Sequence, residues 1–204
     1  MKLYFAPGAC SLSPHIVLRE LGIPFDLIKV DMSSKKTSDG DDFASVNPKG
    51  YVPALKTDDG KVLTEGVAIN QFLADKKPEA GLAPANGTFE RYKLQEMLNF
   101  ISTEIHKTYS PLFNSSLPDA ARDIFMDKLK KRFGELDTLL SKQDFLTGSK
   151  FTIADAYLYT VLRWAPKFKI DIKQWPALAR FYDRVDSRPA VKAAVEAENA
   201  AKAA

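Results

Sequence analysis

The chain has 204 residues, 45% hydrophobic and 27% charged, the balance of a folded globular protein with chain enough for one large domain or two small ones. A net charge of +3 gives little support to nucleic-acid binding, because the basic cluster Lys128, Lys130, Lys131 and Arg132 is interleaved with Asp127 and Glu135 as on a solvated helix face. No apolar run approaches the ~18 residues of a membrane span, the start breaks at Pro7-Gly8 too early for a signal peptide, and one cysteine excludes a disulfide framework; a cytoplasmic protein is expected.

The first eighty residues alternate strands and helices. Lys2 to Ala6 reads as a short strand, and Ser11 to Leu21 as a helix stopped by Gly22 with Pro24 beyond. Phe25, Leu27, Ile28 and Val30 mark a second strand, followed by a polar loop or short helix from Asp31 to Asp42. Two brief strands, Pro53 to Lys56 and Lys61 to Leu63, flank the hairpin signal Asp58-Asp59-Gly60. A helix follows from Gly66 to Lys76, and the proline- and glycine-rich stretch Pro78 to Gly87 reads as a linker.

Beyond it the periodicity is helical throughout. Thr88 to Tyr109 carries one apolar stripe in Leu94, Met97, Leu98, Ile101 and Ile105, and Pro118 to Leu140 another in Phe125, Leu129, Phe133, Leu136 and Leu140. Thr152 to Ala165 is apolar nearly all round, which predicts a buried central helix. Pro176 to Ser187 is a further helix, and the alanine-rich tail from Ala190 is expected to fray for want of anything to bury.

Four features carry chemistry, and a fifth shapes the fold. Cys10 stands at a strand-to-helix turn, where the helix dipole favours a thiolate; Ser13 occupies the place of a resolving cysteine, so a reacting partner sulfur must come from outside. The alternative is a small buried hydrophobe. Glu65-Gly66 opens a helix after a strand and could hold an ammonium by side chain and a carboxylate by backbone N–H, or be simple capping by Thr64 and Glu65. A cis Val52-Pro53 bond would leave the Val52 peptide facing a cleft, free to pair with an extended peptide. Asn99, Thr103 and His106 share one polar stripe, lining a cleft or facing solvent, while His15 reads as structural. Thr152 and Asp155 have capping-box spacing, a folding feature.

Taken together, these residues resemble a bacterial glutathione S-transferase of the beta class over nearly the whole chain. The similarity lies in Pro7-Gly8-Ala9-Cys10-Ser11-Leu12-Ser13, Asn47-Pro48-Lys49-Gly50 with Val52-Pro53, and Leu63-Thr64-Glu65-Gly66-Val67-Ala68-Ile69. It continues in Leu98-Asn99-Phe100, in His106-Lys107 with Ser110-Pro111-Leu112-Phe113, and in Phe151-Thr152-Ile153-Ala154-Asp155-Ala156-Tyr157. The resemblance implies an α/β plus all-α fold: an N-terminal thioredoxin-like domain (βαβαββα, residues 1–80) and an all-helical domain (residues 87–204) carrying the electrophile pocket and dimer contacts. It implies glutathione as co-substrate, with no permanently bound cofactor and no metal. Cys10 would lie against the glutathione sulfur, Val52 before cis Pro53 would pair with its cysteine backbone, Glu65 and Gly66 would hold the γ-glutamyl end, and Lys35 the glycine carboxylate. His106, with Asn99 and Thr103, would approach the ligand, partly from the second subunit of a homodimer. Relatives often carry tyrosine where this chain has Phe5; here Tyr4 holds the tyrosine, and strand alternation turns it to the opposite face.

The expected activity is conjugation of glutathione to hydrophobic electrophiles in an apolar pocket near Tyr109, Phe113, Trp164 and Phe168, with Cys10 and His106 as the catalytic pair. Three rivals differ testably: a thiol-disulfide exchange enzyme needs Cys10 absolutely, a carrier binds without turnover, and a regulatory protein on the same fold could lose the glutathione set. Neither nucleic acid nor a membrane is expected as partner.

Overall fold

A computed structural model of the protein describes residues 1–203. The chain forms two units, Met1–Gly81 together with the segment from Ser187 onward, and Leu82–Asp186.

The first unit is built on a four-stranded sheet in the order β2-β1-β3-β4, from β1 (Lys2–Phe5), β2 (Asp26–Lys29), β3 (Ala54–Lys56) and β4 (Val62–Thr64). The pair β1–β2 is parallel, joined through α1 (Leu12–Glu20), while β3 runs antiparallel to β1 and to β4. Gly60, at φ +83°, closes the hairpin, with the Thr57 N–H bonded to the Lys61 carbonyl at 2.9 Å. Both faces of β1 are buried: Phe5 meets the His15 ring of α1, and Tyr4 packs on Phe43, Val52 and Ala54 on the other side. The strand pleat thus sends Tyr4 and Phe5 to opposite faces. Where the βαβαββα order expects a second helix, the polar stretch after β2 forms isolated bridges and one 3₁₀ turn, Phe43–Ser45, before α2 (Gly66–Lys76). With Ser, Lys and Asp dominating and Phe43 its only fully buried anchor, it has no apolar stripe to support a longer helix.

The tail does not fray. α8 (Pro189–Ala203) packs on α1, burying Val191, Ala194 and Glu198, which fall on one helical face at i, i+3 and i+7. Arg188 forks onto Glu20 at 2.6 and 2.9 Å, and Lys29 donates to the Ala201 carbonyl near the helix C-terminus. This helix, expected in a domain spanning 87–204, is therefore part of the first unit.

The second unit is helical: α3 (Phe89–Phe100), a π-helical segment (Ile101–His106), the short α4 (Lys107–Tyr109), α5 (Asp119–Leu140), α6 (Ile153–Leu162) and α7 (Pro176–Asp186). All ten residues of α6 are buried. Asp155 is fully buried at its head, accepting from the Leu146 N–H at 2.8 Å, the Thr152 N–H at 2.7 Å and the Thr152 hydroxyl at 2.9 Å. Burial pushes the Asp155 carboxyl up to about 6 against these donors, which pull it down. They are what makes an acid tolerable there.

Candidate functional site

In the first unit the candidate residues converge at the ends of β1 and β3 and the start of α2. The Val52–Pro53 peptide is cis, and the Val52 carbonyl accepts the Cys10 thiol at 3.4 Å. Asn47, buried, shapes the preceding loop by donating from Nδ2 to the Tyr51 carbonyl at 2.7 Å and accepting the Lys49 N–H at 3.2 Å. Lys35 sits at φ +58° and lays its stem over Gly50, with Nζ on the Gly50 carbonyl at 3.1 Å.

Glu65 precedes α2 with φ +67° and ψ +113°, a conformation that costs a non-glycine residue about 1–3 kcal/mol. Its side chain does not cap the helix, so simple capping does not account for this residue. The carboxylate is exposed and meets Lys49 at 3.3 Å, a solvent-facing pair worth only about 0–1 kcal/mol. Gly66 occupies the first helical position, where an added Cβ would reach ordinary contact with Pro53. The first-turn N–H groups of α2 are left to water or a ligand.

Cys10 departs from expectation. Its thiol is pushed up to about 11, first by burial and further by the carboxylates of Glu65 and Glu198; the backbone N–H groups at the start of α1 pull the other way and lose. Desolvation outweighs the helix terminus, so the resting side chain is a neutral thiol. Glu198, from α8, holds the loop that carries it: Oε2 accepts the Gly8 N–H at 3.0 Å and Oε1 meets His15 Nδ1 at 3.3 Å. His15 Nε2 accepts from Arg19 Nε at 2.9 Å. Arginine only donates, so Nε2 is unprotonated and Nδ1 carries the proton that goes to Glu198. His15 is structural.

In the second unit, Asn99 and Thr103 are exposed, and the Thr103 hydroxyl turns back onto the Asn99 carbonyl at 2.9 Å. His106 leaves their stripe. The π turn, with the Lys107 N–H on the Ser102 carbonyl, changes the angular step that α-helical spacing assumes and sets His106 against aromatic rings. Its Nδ1 lies 2.6 Å from the Tyr157 hydroxyl, and Trp164 crosses its ring at 5.0 Å and 64°. Trp164, Tyr109, Phe113 and Phe168 continue this cluster, with Lys167 Nζ over the Phe113 ring at 4.7 Å.

The structure thus groups Cys10, Val52, Pro53, Glu65, Gly66 and Lys35 on one unit, and His106 with the four aromatic residues on the other. Sequence reasoning gave no role of their own to Asn47 and Tyr157, which it named only within longer motifs, and did not reach Glu198. The spacing of Val191, Ala194 and Glu198 was a usable signal for the last; Tyr157 is one polar tip in an apolar helix and gave none. Among the described residues no group of three His, Cys, Asp or Glu side chains is placed to hold a metal ion, and no helix is long and apolar enough to cross a membrane.

Residues 8–76 match the glutathione S-transferase N-terminal domain family and residues 100–189 the C-terminal domain family. Glutathione S-transferase GstA of Escherichia coli O157:H7 is 46% identical over 198 residues, covering 97% of this chain and 98% of that protein. A sphingomonad glutathione S-transferase solved in complex with glutathione superposes with a TM-score of 0.95 at 45% identity, covering 98% and 99% of the two chains. The beta-class glutathione S-transferase of Sphingomonas chungbukensis gives 0.93 at 46% identity over 97% and 98%. The chain belongs to the glutathione S-transferase family, in its bacterial beta class.

Proposed function

We propose that the protein binds glutathione, holds its sulfur as thiolate and conjugates it to apolar electrophiles. The observation that carries this is Glu65: a non-glycine residue in a costly backbone conformation, its carboxylate unused by the helix it precedes, beside the first-turn N–H groups of α2 and the Val52 peptide. That arrangement suits the γ-glutamyl end of glutathione, ammonium on Glu65 and carboxylate on the N–H groups. The exposed Lys49 contact is weak enough for the ammonium to replace. Lys35 is the cation for the glycine carboxylate, and the Val52 peptide the partner for the cysteine backbone.

In the reaction the glutathione S–H bond breaks, the proton leaves to solvent or a base, the sulfur pair forms the S–C bond, and the leaving group departs with its own pair. Lowering a thiol from ~8.5 by about 2 units needs about 2.7 kcal/mol of differential stabilisation, the worth of one or two hydrogen bonds to a charged sulfur. A neutral Cys10 is one such donor. His106 is the second polar group assigned to the sulfur, and the cluster of Tyr109, Phe113, Trp164 and Phe168 is the apolar surface for the electrophile. In this reading the catalytic unit is a homodimer, and a reducing cytoplasm fits the single cysteine.

A conjugation assay with glutathione and a chloronitrobenzene, run beside a disulfide-reduction assay, tests the reading. Conjugation that survives Cys10→Ala is expected; activity confined to disulfide reduction and abolished in that variant would replace it with the exchange enzyme. Sedimentation at micromolar concentration should give a dimer.

A further inference from the structure

We propose that Tyr157 is a positioning residue for His106, its hydroxyl donating to Nδ1 so that the ring keeps its proton on Nε2, the nitrogen that then acts on the sulfur. This rests on the reading of His106 as a group serving glutathione's thiolate, and adds the residue that sets its proton. Tyr157 Oη stands 2.6 Å from His106 Nδ1, with the two rings at 81°. A histidine's tautomer is set by the bond its other nitrogen makes, and a phenol has one proton to give. Trp164, crossing the imidazole at 5.0 Å, opposes the ring flip that would put Cδ2 where Nδ1 meets the hydroxyl.

Both partners are held by independent devices. Tyr157 is 5% exposed, two residues beyond Asp155, whose bonds to Thr152 and Leu146 lock the first turn of α6. His106 ends the π-helical segment, and such turns within long helices are frequent at functional sites. Neither the apolar packing of α3 nor that of α6 requires a tyrosine hydroxyl here; phenylalanine would fill the same space.

The chain has two histidines, so ¹⁵N-labelled protein shows two imidazole spin systems and His106→Gln identifies one by its loss. At pH 8, where an ordinary imidazole is neutral, His106 should carry its proton on Nε2. In Tyr157→Phe that pattern should shift towards a tautomer mixture. The kcat for conjugation should fall about tenfold, the worth of one hydrogen bond, with the KM for glutathione unchanged. The double variant should be no slower than His106→Gln alone. A proton on Nδ1 in the parent protein, an unmoved His106 signal in Tyr157→Phe, or additive losses would each overturn the proposal, and the first of these needs no variant to fold. Full conjugation by His106→Gln would instead remove His106 from the mechanism, and this inference with it, leaving the glutathione site of the first unit untouched.

Discussion

Replacing Glu198 by alanine tests how the first unit holds its reactive loop. The carboxylate is 3% exposed and serves two donors, the Gly8 N–H and His15 Nδ1, with Arg19 behind the imidazole. Alanine is the best helix former, so α8 itself loses nothing. What is lost is the acceptor of the buried His15 Nδ1–H and of the part-buried Gly8 N–H, about 1–3 kcal/mol for the first and less for the second. That is a large share of a domain's stability of about 5–15 kcal/mol. Urea unfolding at fixed protein concentration should show it as a lowered midpoint, with Glu198→Gln, which keeps an oxygen for Gly8, falling between. Because Gly8 lies two residues before Cys10, native-state alkylation of Cys10 should accelerate in the alanine variant. A variant within about 1 kcal/mol of the parent would refute the network's role, since any satisfied buried carboxylate with two donors must cost more than that to delete.

Glu65→Gln should weaken glutathione binding about tenfold or more while leaving thermal stability unchanged, because it removes a counter-charge worth ~1.5–3 kcal/mol from an exposed position; calorimetric titration measures this. Alkylation of Cys10 by iodoacetamide without glutathione should rise about tenfold per pH unit from 7 towards a midpoint near 11, since burial holds the thiol protonated and its neutral-pH thiolate lies about two orders of magnitude below that of an exposed cysteine. A midpoint below 8 would restore the thiolate expected from the helix terminus. Asp155→Ala should cost about 3 kcal/mol or more in unfolding experiments, with the Leu146 and Thr152 N–H groups left without their acceptor.

What the sequence made legible is what local physics decides. Apolar spacing placed α5, α6 and α7, the Asp-Gly turn placed the hairpin, and Thr152 with Asp155 marked where α6 begins, all within a few residues of the observed bounds; the single helix expected from Thr88 to Tyr109 is instead divided into α3, the π-helical segment and α4. The misses are tertiary. Glu198 and Gly8 are 190 residues apart, so nothing near the alanine-rich tail announces that its one buried acid has a backbone partner waiting. The stripe of Asn99, Thr103 and His106 was drawn with α-helical angles, and a single π turn moves His106 off it. Cys10 shows the same division: the helix terminus that lowers a thiol is visible in the chain order, whereas the packing and carboxylates that raise it are assembled only on folding.

That division bears on chemistry. A site whose own cysteine is held neutral by burial and by two carboxylates is poorly arranged to use that cysteine as a nucleophile in thiol-disulfide exchange, where the attacking species is the thiolate. It is better arranged to donate. The Cys10 S–H rests on the Val52 carbonyl at 3.4 Å, and a ligand sulfur bound beside Val52 offers a stronger, charged acceptor for the same proton. Of the two carboxylates, Glu198 is already committed to Gly8 and His15, and Glu65 is the one the γ-glutamyl ammonium would neutralise. Substrate binding would therefore weaken the field that opposes negative charge at the moment a second sulfur arrives to carry it. The thiolate that this geometry favours belongs to glutathione, and conjugation is the chemistry that uses it.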